Sequence, residues 1–494
     1  MKYVRIPTEL PISDVVANSA CLSPGRYARF IPPEVTKHSW FAPLDKLVIL
    51  RESRATVKRG DSYKYAEIGD IDVGTGGVTF RDLRGFQLPD KRPAVARRGD
   101  VLVSTVRTYR KGIGYISVDG GNLVTTNAFL NICAVSDFVP DLTLLYVYSF
   151  LRSDFFSEQV WSLLHRGMYP RLDKRALDKI LIPMPSDSRA FKYVSALVQA
   201  IIDKETAIRN RHMSIMGLIG EELSTGFIGG EFKYSYPTTS DIRASSRLDA
   251  GLYCDTFQSL KHWIDNYRYG STTLSRLGVK SRRGPNLAVS VIGKSLYSNQ
   301  NKPGWYQLIR PLNITDFGTL MRHEYLGSLK KLPLVKAGEI VFGCEATWRS
   351  LVLCEAYDRC TTNFHGTVLY WPGKPIGQVI WIRCILEYLR SKGMFRYVAV
   401  GGQGGHLSPE YFDYIPIPKF PEDKQNEISA LYHEPASPQG SPTVEAFVEW
   451  HRRRNAGLGI WELDKEIKEL QQQLAGLQEQ IIQGGPVSIP SESN

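Results

Sequence analysis

Arg98-Gly99-Asp100-Val101-Leu102-Val103 and Ala337-Gly338-Glu339-Ile340-Val341-Phe342 decide how this chain is read. Each is a basic or small residue, a glycine, an acid and then an apolar run. A glycine followed by a turn acid and three branched or aromatic residues marks a tight turn entering a buried strand. Three further pairs of stretches repeat in the same order. Leu22-Ser23-Pro24-Gly25-Arg26-Tyr27 resembles Leu248-Asp249-Ala250-Gly251-Leu252-Tyr253. Thr125-Thr126-Asn127 matches Thr361-Thr362-Asn363. Leu172, Leu177, Ile180, Ile182 and Pro183 match Leu407, Phe412, Ile415, Ile417 and Pro418. The offsets, taken in chain order, are 226, 239, 236 and 235 residues. Near-constant offsets in a fixed order mean duplication. Between these landmarks the halves differ, at 37–93 and at 255–333. The plan is repeated and the middle is individual.

Around the repeat the chain reads as β-rich. Short apolar or alternating runs predict strands at 101–104, 114–117 and 129–132, and at 340–342, 351–353 and 367–370. Helical stretches follow at 142–159 and 376–392. Each half then ends in a longer helical signal. The first, 190–223, carries Leu197, Ile201, Ile208 and Ile215 on one face. The second steps through Leu463, Ile467, Leu470, Leu474, Leu477 and Ile481 at spacings of 4, 3, 4, 3, 4, a heptad seam. A seam this narrow is expected to pack on one helical partner, and the economical one is the other long helix, antiparallel to it. The fold class expected is α+β. Two similar β-rich domains, 1–188 and 227–420, are separated by helices at 189–226 and 458–484. A linker with a short amphipathic stretch fills 421–457, and a disordered tail is expected at 485–494.

With 494 residues and 43% hydrophobic content, the chain can bury several cores. Lys+Arg 61 against Asp+Glu 50 gives +11, which favours a polyanionic partner. Residues 1–11 lack the pattern of a secretory signal, and the most apolar stretch, 379–389, is short and contains Arg383, so no membrane association is expected. Seven scattered cysteines without a Cys-x-x-Cys pair point to a reducing cytoplasm. Enzyme motifs fail in turn. Pro32-Pro33 lacks the context of an adenine-methyltransferase loop. Gly293-Lys294-Ser295 lacks the first glycine of a phosphate loop. The histidines are dispersed and suggest no metal centre. No catalytic residue and no metal ligand is assigned.

Basic and aromatic residues do gather in turns. Arg107, Tyr109, Arg110 and Lys111 follow the first Gly-Asp strand, and Trp348 and Arg349 hold the matching place in the second half. Arg166, Tyr169 and Arg171 precede Leu172, while Gln403 and His406 precede Leu407. Arg282 and Arg283 form another basic turn. Such turns suit a duplex, where Arg and Lys neutralise phosphates and Arg, Asn or Gln read base edges. Asn127 and Asn363 serve equally well as turn formers.

Taken together, the strand at 99–104, the segment 172–185 ending Ile-Pro-Met-Pro, their echoes at 338–343 and 407–418, and the long helix after each half resemble the specificity (S) subunit of type I restriction–modification enzymes. The resemblance covers nearly the whole chain. It implies two target-recognition domains, each reading one half of a split target in double-stranded DNA. It implies two helices that fix the spacer and dock two methyltransferase (M) subunits. Two restriction (R) subunits join some such assemblies. The subunit itself would perform no chemistry and hold no cofactor. S-adenosylmethionine, and ATP with Mg in a restriction subunit, would belong to its partners. The sequence departs from the pattern at Ser186-Asp187-Ser188-Arg189, where a Glu-Gln is expected, and in the long stretch 421–457. A methyltransferase or nuclease with an unrecognised site, and a coiled-coil interaction scaffold, remain the alternatives from residues alone.

Overall fold

The structure is a computed structural model that describes residues 2–17, 27–164, 170–293, 295–345, 347–401, 405–435, 440 and 442–490. It is α+β and divides into two compact units. One comprises Met1–Thr206, Pro438–Arg453 and Glu466–Asn494; the other comprises Ala207–Ser437 and Arg454–Lys465.

The first unit holds two four-stranded sheets. In one, the strand order is Val48–Leu50, Phe129–Val135, Val101–Ser104, Ile113–Tyr115, all antiparallel. Every residue of Val101–Ser104 is buried, as its unbroken apolar run implies. In the other, the order is Arg81–Arg84, Ser62–Ala66, Leu123–Thr125, Ala94–Val95, and the central pair, Ser62–Ala66 with Leu123–Thr125, is parallel. The strand Leu181–Pro185 pairs with Ser39–Pro43 outside both sheets. The expected helix at 142–159 is two helices, Leu144–Leu151 and Asp154–Leu163. Ser153 breaks it, because its side chain accepts the Phe156 N–H at 3.3 Å and starts a new turn.

The second unit repeats this frame with other residues. Its antiparallel sheet runs Lys280–Arg283, Gly366–Tyr370, Ile340–Gly343, Ser350–Val352. Its other sheet runs Leu296–Ser298, Tyr325–Gly327, Tyr306–Ile309, Cys360–Thr362, with the last two parallel. Ile417–Pro418 pairs with Ser271–Thr272. Three strands of each mixed sheet correspond. The fourth does not: Ala94–Val95 lies beside the parallel strand in the first unit, whereas Leu296–Ser298 lies on the opposite edge in the second. The individual middle of the sequence is therefore an individual edge of the sheet.

The helices follow the periodicity. Arg189–Thr225 is one helix of 37 residues and Ile460–Ile482 another of 23. In the first unit, the Gln473 side chain bonds Tyr193, and Lys204 Nζ lies 2.5 Å from Glu466. As one helix advances from 193 to 204 its partner residue retreats from 473 to 466, so the two run antiparallel. Leu197, Ile201, Ile467, Leu470, Leu477 and Ile481 are buried there, and Leu474 is half-buried against the same core. In the second unit, Ile208, Ile215 and Leu463 are buried, and Arg211 donates to the Asn455 carbonyl at 2.5 Å. The seam residues are thus packed within the chain's own units.

The described residues of 421–457 include two helices. Glu422–Tyr432 is a helix the sequence reading missed. Pro421 precedes it, acids fill its first turn, and Ile428 and Tyr432, four apart, are buried. The Tyr432 hydroxyl donates to the Gly318 carbonyl at 2.7 Å. The prolines that follow masked so short a signal. The amphipathic stretch is the helix Phe447–Ala456, whose Phe447 meets Tyr193 edge-on at 5.7 Å. Of the expected tail, 485–490 carries no regular structure and 491–494 lies outside the described residues.

Candidate nucleic-acid interface

The turn after Val101–Ser104 is built by the backbone. Thr105 donates its N–H to the Ala128 carbonyl at 2.8 Å and its hydroxyl to the same oxygen at 2.9 Å. The Leu172 N–H donates to the Thr105 carbonyl at 2.7 Å, Val106 pairs with Arg171, and the Arg107 N–H meets the Pro170 carbonyl at 3.0 Å. Three segments far apart in sequence are thereby held at one place. Arg107 and Lys111 flank a single 3₁₀ turn, Thr108–Arg110, in left-handed backbone with φ of 49° and 60°. The buried Thr108 anchors that turn by donating its hydroxyl to the Ser104 carbonyl at 2.5 Å. Left-handed backbone at residues other than glycine costs about 1 kcal/mol each and persists only where surroundings enforce it. Here it turns Arg110 outward, exposed and without an ion-pair partner among the described residues. Arg171 is likewise exposed.

The second unit repeats the device. The Leu407 N–H donates to the Cys344 carbonyl at 2.8 Å, Glu345 pairs with His406, and the Cys344 N–H donates to the His365 carbonyl at 2.9 Å. Trp348 stands in left-handed backbone, φ 46°, as Lys111 does. The side chains differ. Glu345 is flanked by two histidines, with His365 Nδ1 at 2.8 Å from one oxygen and His406 Nδ1 at 3.3 Å from the other. Arg283 lies over the half-exposed Phe364 ring at 3.6 Å and donates to the Phe364 carbonyl at 3.1 Å. Gly284 permits this crossing, because a Cβ there would penetrate the Asn363 carbonyl.

Four of the residues expected to face DNA do structural work. Arg282 forms a two-point ion pair with Glu339 and donates to the Leu334 carbonyl at 2.9 Å. Arg349 donates to Asp316 at 2.7 Å, and Arg390 meets the same oxygen at 2.7 Å. Burial acts to raise the Asp316 pKa, but these two guanidiniums hold its carboxyl below the usual range. Tyr109 packs on the main core of the first unit, and Trp348 packs edge-on to Phe395 at 6.4 Å. A basic or aromatic letter in a turn does not say which way the side chain goes. Lys111 is intermediate: half-exposed, it bonds the exposed Asp154 at 2.6 Å. Arg166, Tyr169 and Gln403 lie outside the described residues.

The sequence reading missed the partner of the repeated acid. Asp100, 1% exposed, receives Arg51 through two bonds of 2.8 and 2.9 Å and the Arg97 N–H at 2.9 Å. Glu339 receives Arg282 and the Lys336 N–H, the latter at 2.8 Å. Both acids of the founding repeat therefore clamp an arginine from the region of the edge strand two places away in the same sheet. The reading also missed Arg54, whose guanidinium bonds the Asn127 side chain beside the Thr105 turn. Its signal was available, since 51–60 and 84–92 are rich in Arg and Lys.

Buried thiols are packing groups here. Burial pushes Cys360 up to about 12 and Cys384 up to about 11, so neither is a nucleophile near neutral pH. Among the described residues no group of three or more His, Cys, Asp or Glu is placed to hold a metal, and no helix is long and apolar enough to cross a membrane.

No protein-family model and no curated protein matches the sequence. Solved structures do resemble it over most of its length. An HsdS subunit from Thermoanaerobacter tengcongensis is 16% identical over 92% of this chain and 99% of its own, with a TM-score of 0.31. A type I restriction–modification S subunit from M. genitalium is 11% identical over 93% of this chain and 100% of its own, with a TM-score of 0.42. A chain from a study of complex assembly and conformational transition of the type I R-M system is 16% identical over 92% and 100%, with a TM-score of 0.33.

Proposed function

We propose that this chain is the DNA sequence-specificity subunit of a type I restriction–modification or related defence complex. One observation carries the reading: two lobes with the same sheet frame each present a turn at the same place, built from the same backbone bonds and carrying different side chains. Conserved scaffolding with divergent tips is what reading two different half-sites requires. Phosphate contacts fix register and base contacts specify.

In the first lobe Arg107, Arg110, Lys111 and Arg171 are the candidates to meet DNA. In the second they are Arg283 and His406, joined by His365. Arg166, Tyr169 and Gln403, outside the described residues, are further candidates by sequence. The paired helices set the distance between half-sites and offer surface to two methyltransferase subunits, with two restriction subunits where cleavage is coupled. Methyl transfer from S-adenosylmethionine and any ATP-driven step belong to those partners. The chain acts in the cytoplasm, where duplex DNA is accessible to it.

The test is co-expression with the neighbouring genes, affinity purification, and sequencing of modified bases. A complex of two methyltransferase subunits with one copy of this chain, methylating a motif of two fixed blocks around a fixed gap, is expected. Exchange of residues 51–135 for those of another member should change one block only. A chain that purifies alone and binds no duplex at low salt would end this reading.

A further inference from the structure

The first lobe carries an exposed cationic face. Arg54, Lys58 and Arg59 come from one segment, and Arg84, Lys91 and Arg92 from another. All six are exposed, and no carboxylate lies within ion-pair distance of any of them among the described residues. The two segments are laced together by backbone. The Ala55 N–H donates to the Pro93 carbonyl at 2.9 Å, the Val95 N–H to Ser53 at 3.0 Å, the Phe86 N–H to Arg59 at 3.3 Å, and the Gly85 N–H to Asp61 at 2.9 Å. Gly85 is required, since a Cβ would penetrate the Lys58 carbonyl. Beneath, Ala55, Val57, Leu83 and Leu88 pack on Tyr63, Tyr65 and Val124. That small core takes the apolar side of both segments, so the cations face water.

The matching region of the second lobe is mixed, with Lys302, Lys330 and Lys331 exposed beside apolar residues. Val289, Val291 and Leu329 are 64%, 42% and 95% exposed there. The cationic face also adjoins the reading turn. Arg54 bonds Asn127, and the next residue, Ala128, accepts both bonds from Thr105. Acids on the two segments are Glu52, paired with Lys174, Asp82, paired with Lys64, and Asp61 and Asp90. Six unpaired cations against two unpaired acids leave a surplus of four, concentrated on one exposed strip.

We infer that this strip is a second, sequence-indifferent DNA contact, along which the first lobe tracks the phosphates flanking its half-site. The inference rests on the specificity-subunit reading and adds to it a phosphate-tracking surface beside the first lobe's turn. Exposed cations without carboxylate partners suit phosphate, not base-edge, recognition.

The test measures affinity of the full chain for a duplex of about 30 base pairs of random sequence between 50 and 300 mM salt. A Lys58→Ala, Arg59→Ala, Lys91→Ala, Arg92→Ala variant alters only exposed side chains. Each phosphate contact contributes about 0.9 to the slope of log affinity against log salt, so a fall in slope of about 2 or more is expected. The Arg59→Lys, Arg92→Lys variant keeps the charge and should keep the slope. Removing four exposed cations elsewhere on the unit, Lys37, Lys46, Arg175 and Lys192, should leave it unchanged. An unchanged slope in the first variant, or an equal fall in the last, overturns the inference. A parent chain that binds duplex DNA at no salt concentration overturns the specificity-subunit reading instead.

Discussion

Arg51 clamped on Asp100 and Arg282 clamped on Glu339 solve one problem twice, with one methylene of difference. In the first lobe the acid is shorter and its arginine comes from just beyond the edge strand; the arginine and aspartate side chains are 18% and 2% exposed. In the second the acid is longer, its arginine lies within the strand, and the exposures are 31% and 10%. The clamp fixes the strand entry that precedes each reading turn. What lies past the clamp is then free to diverge: Arg171 in one lobe stands where His406 stands in the other. The scaffold is held by internal charge pairs so that the tips need not hold it.

This comparison can be broken most forcefully at the clamp. Asp100→Ala leaves a nearly buried guanidinium and the Arg97 N–H without their acceptor, and stripping one partner from a buried pair costs about 3–5 kcal/mol. Glu339→Ala should cost less, because Arg282 is closer to water. Urea unfolding of the full chain, followed in each unit by a local fluorophore, reads both. Equal or negligible losses would mean the acids are not clamps.

Next in size is a difference in acid response. His212 in the second unit meets Phe317 edge-on at 5.2 Å, and burial together with Arg383 depresses its pKa from 6.5 to about 4. A depressed histidine binds its proton more readily in the unfolded chain. The folded state is therefore favoured above about pH 6.5 and loses that advantage as pH falls towards 4, by up to about 3 kcal/mol. His212→Gln should flatten that loss in the second unit and leave the first untouched. Unfolding midpoints at pH 7 and pH 4.5 measure it.

The smallest expected effect lies at the tips. Arg171→Ala removes a permanent charge and should lower the salt slope of duplex binding by about 0.9 at any pH from 6 to 8. His406→Ala should lower it by less, because the imidazole lies 3.3 Å from the Glu345 carboxylate. Equal losses in the two variants would show that the lobes are electrostatically equivalent.

How much of this was legible follows from locality. Gly99-Asp100 and Gly338-Glu339 announce their turns within six residues, and the leucine–isoleucine seam of the last helix declares its own period. The clamp partners were not legible, because Arg51 is 49 residues from Asp100 and Arg282 is 57 from Glu339. The parallel pairing of Ser62–Ala66 with Leu123–Thr125 joins strands with no local signal between them. At the site, the turns were found, yet Arg282 and Arg349 looked like their neighbours Arg283 and Ser350 until their acids were placed. Side-chain direction in a turn is a tertiary property. The strip at 54–92 was legible as composition but fell in the segment without a repeat, where comparison of the halves gave no guidance.

The division of the chain has a consequence for how it is made. Phe191, Val194, Val198 and Ile202 share a core with Ile481 and Ile482, so the lobe translated first is completed last. Between the emergence of residue 206 and residue 481 the ribosome adds 275 more. At about 5–20 residues per second, that apolar stripe waits roughly 14–55 s for its cover. A premature stop near codon 460 would therefore injure the amino-terminal lobe.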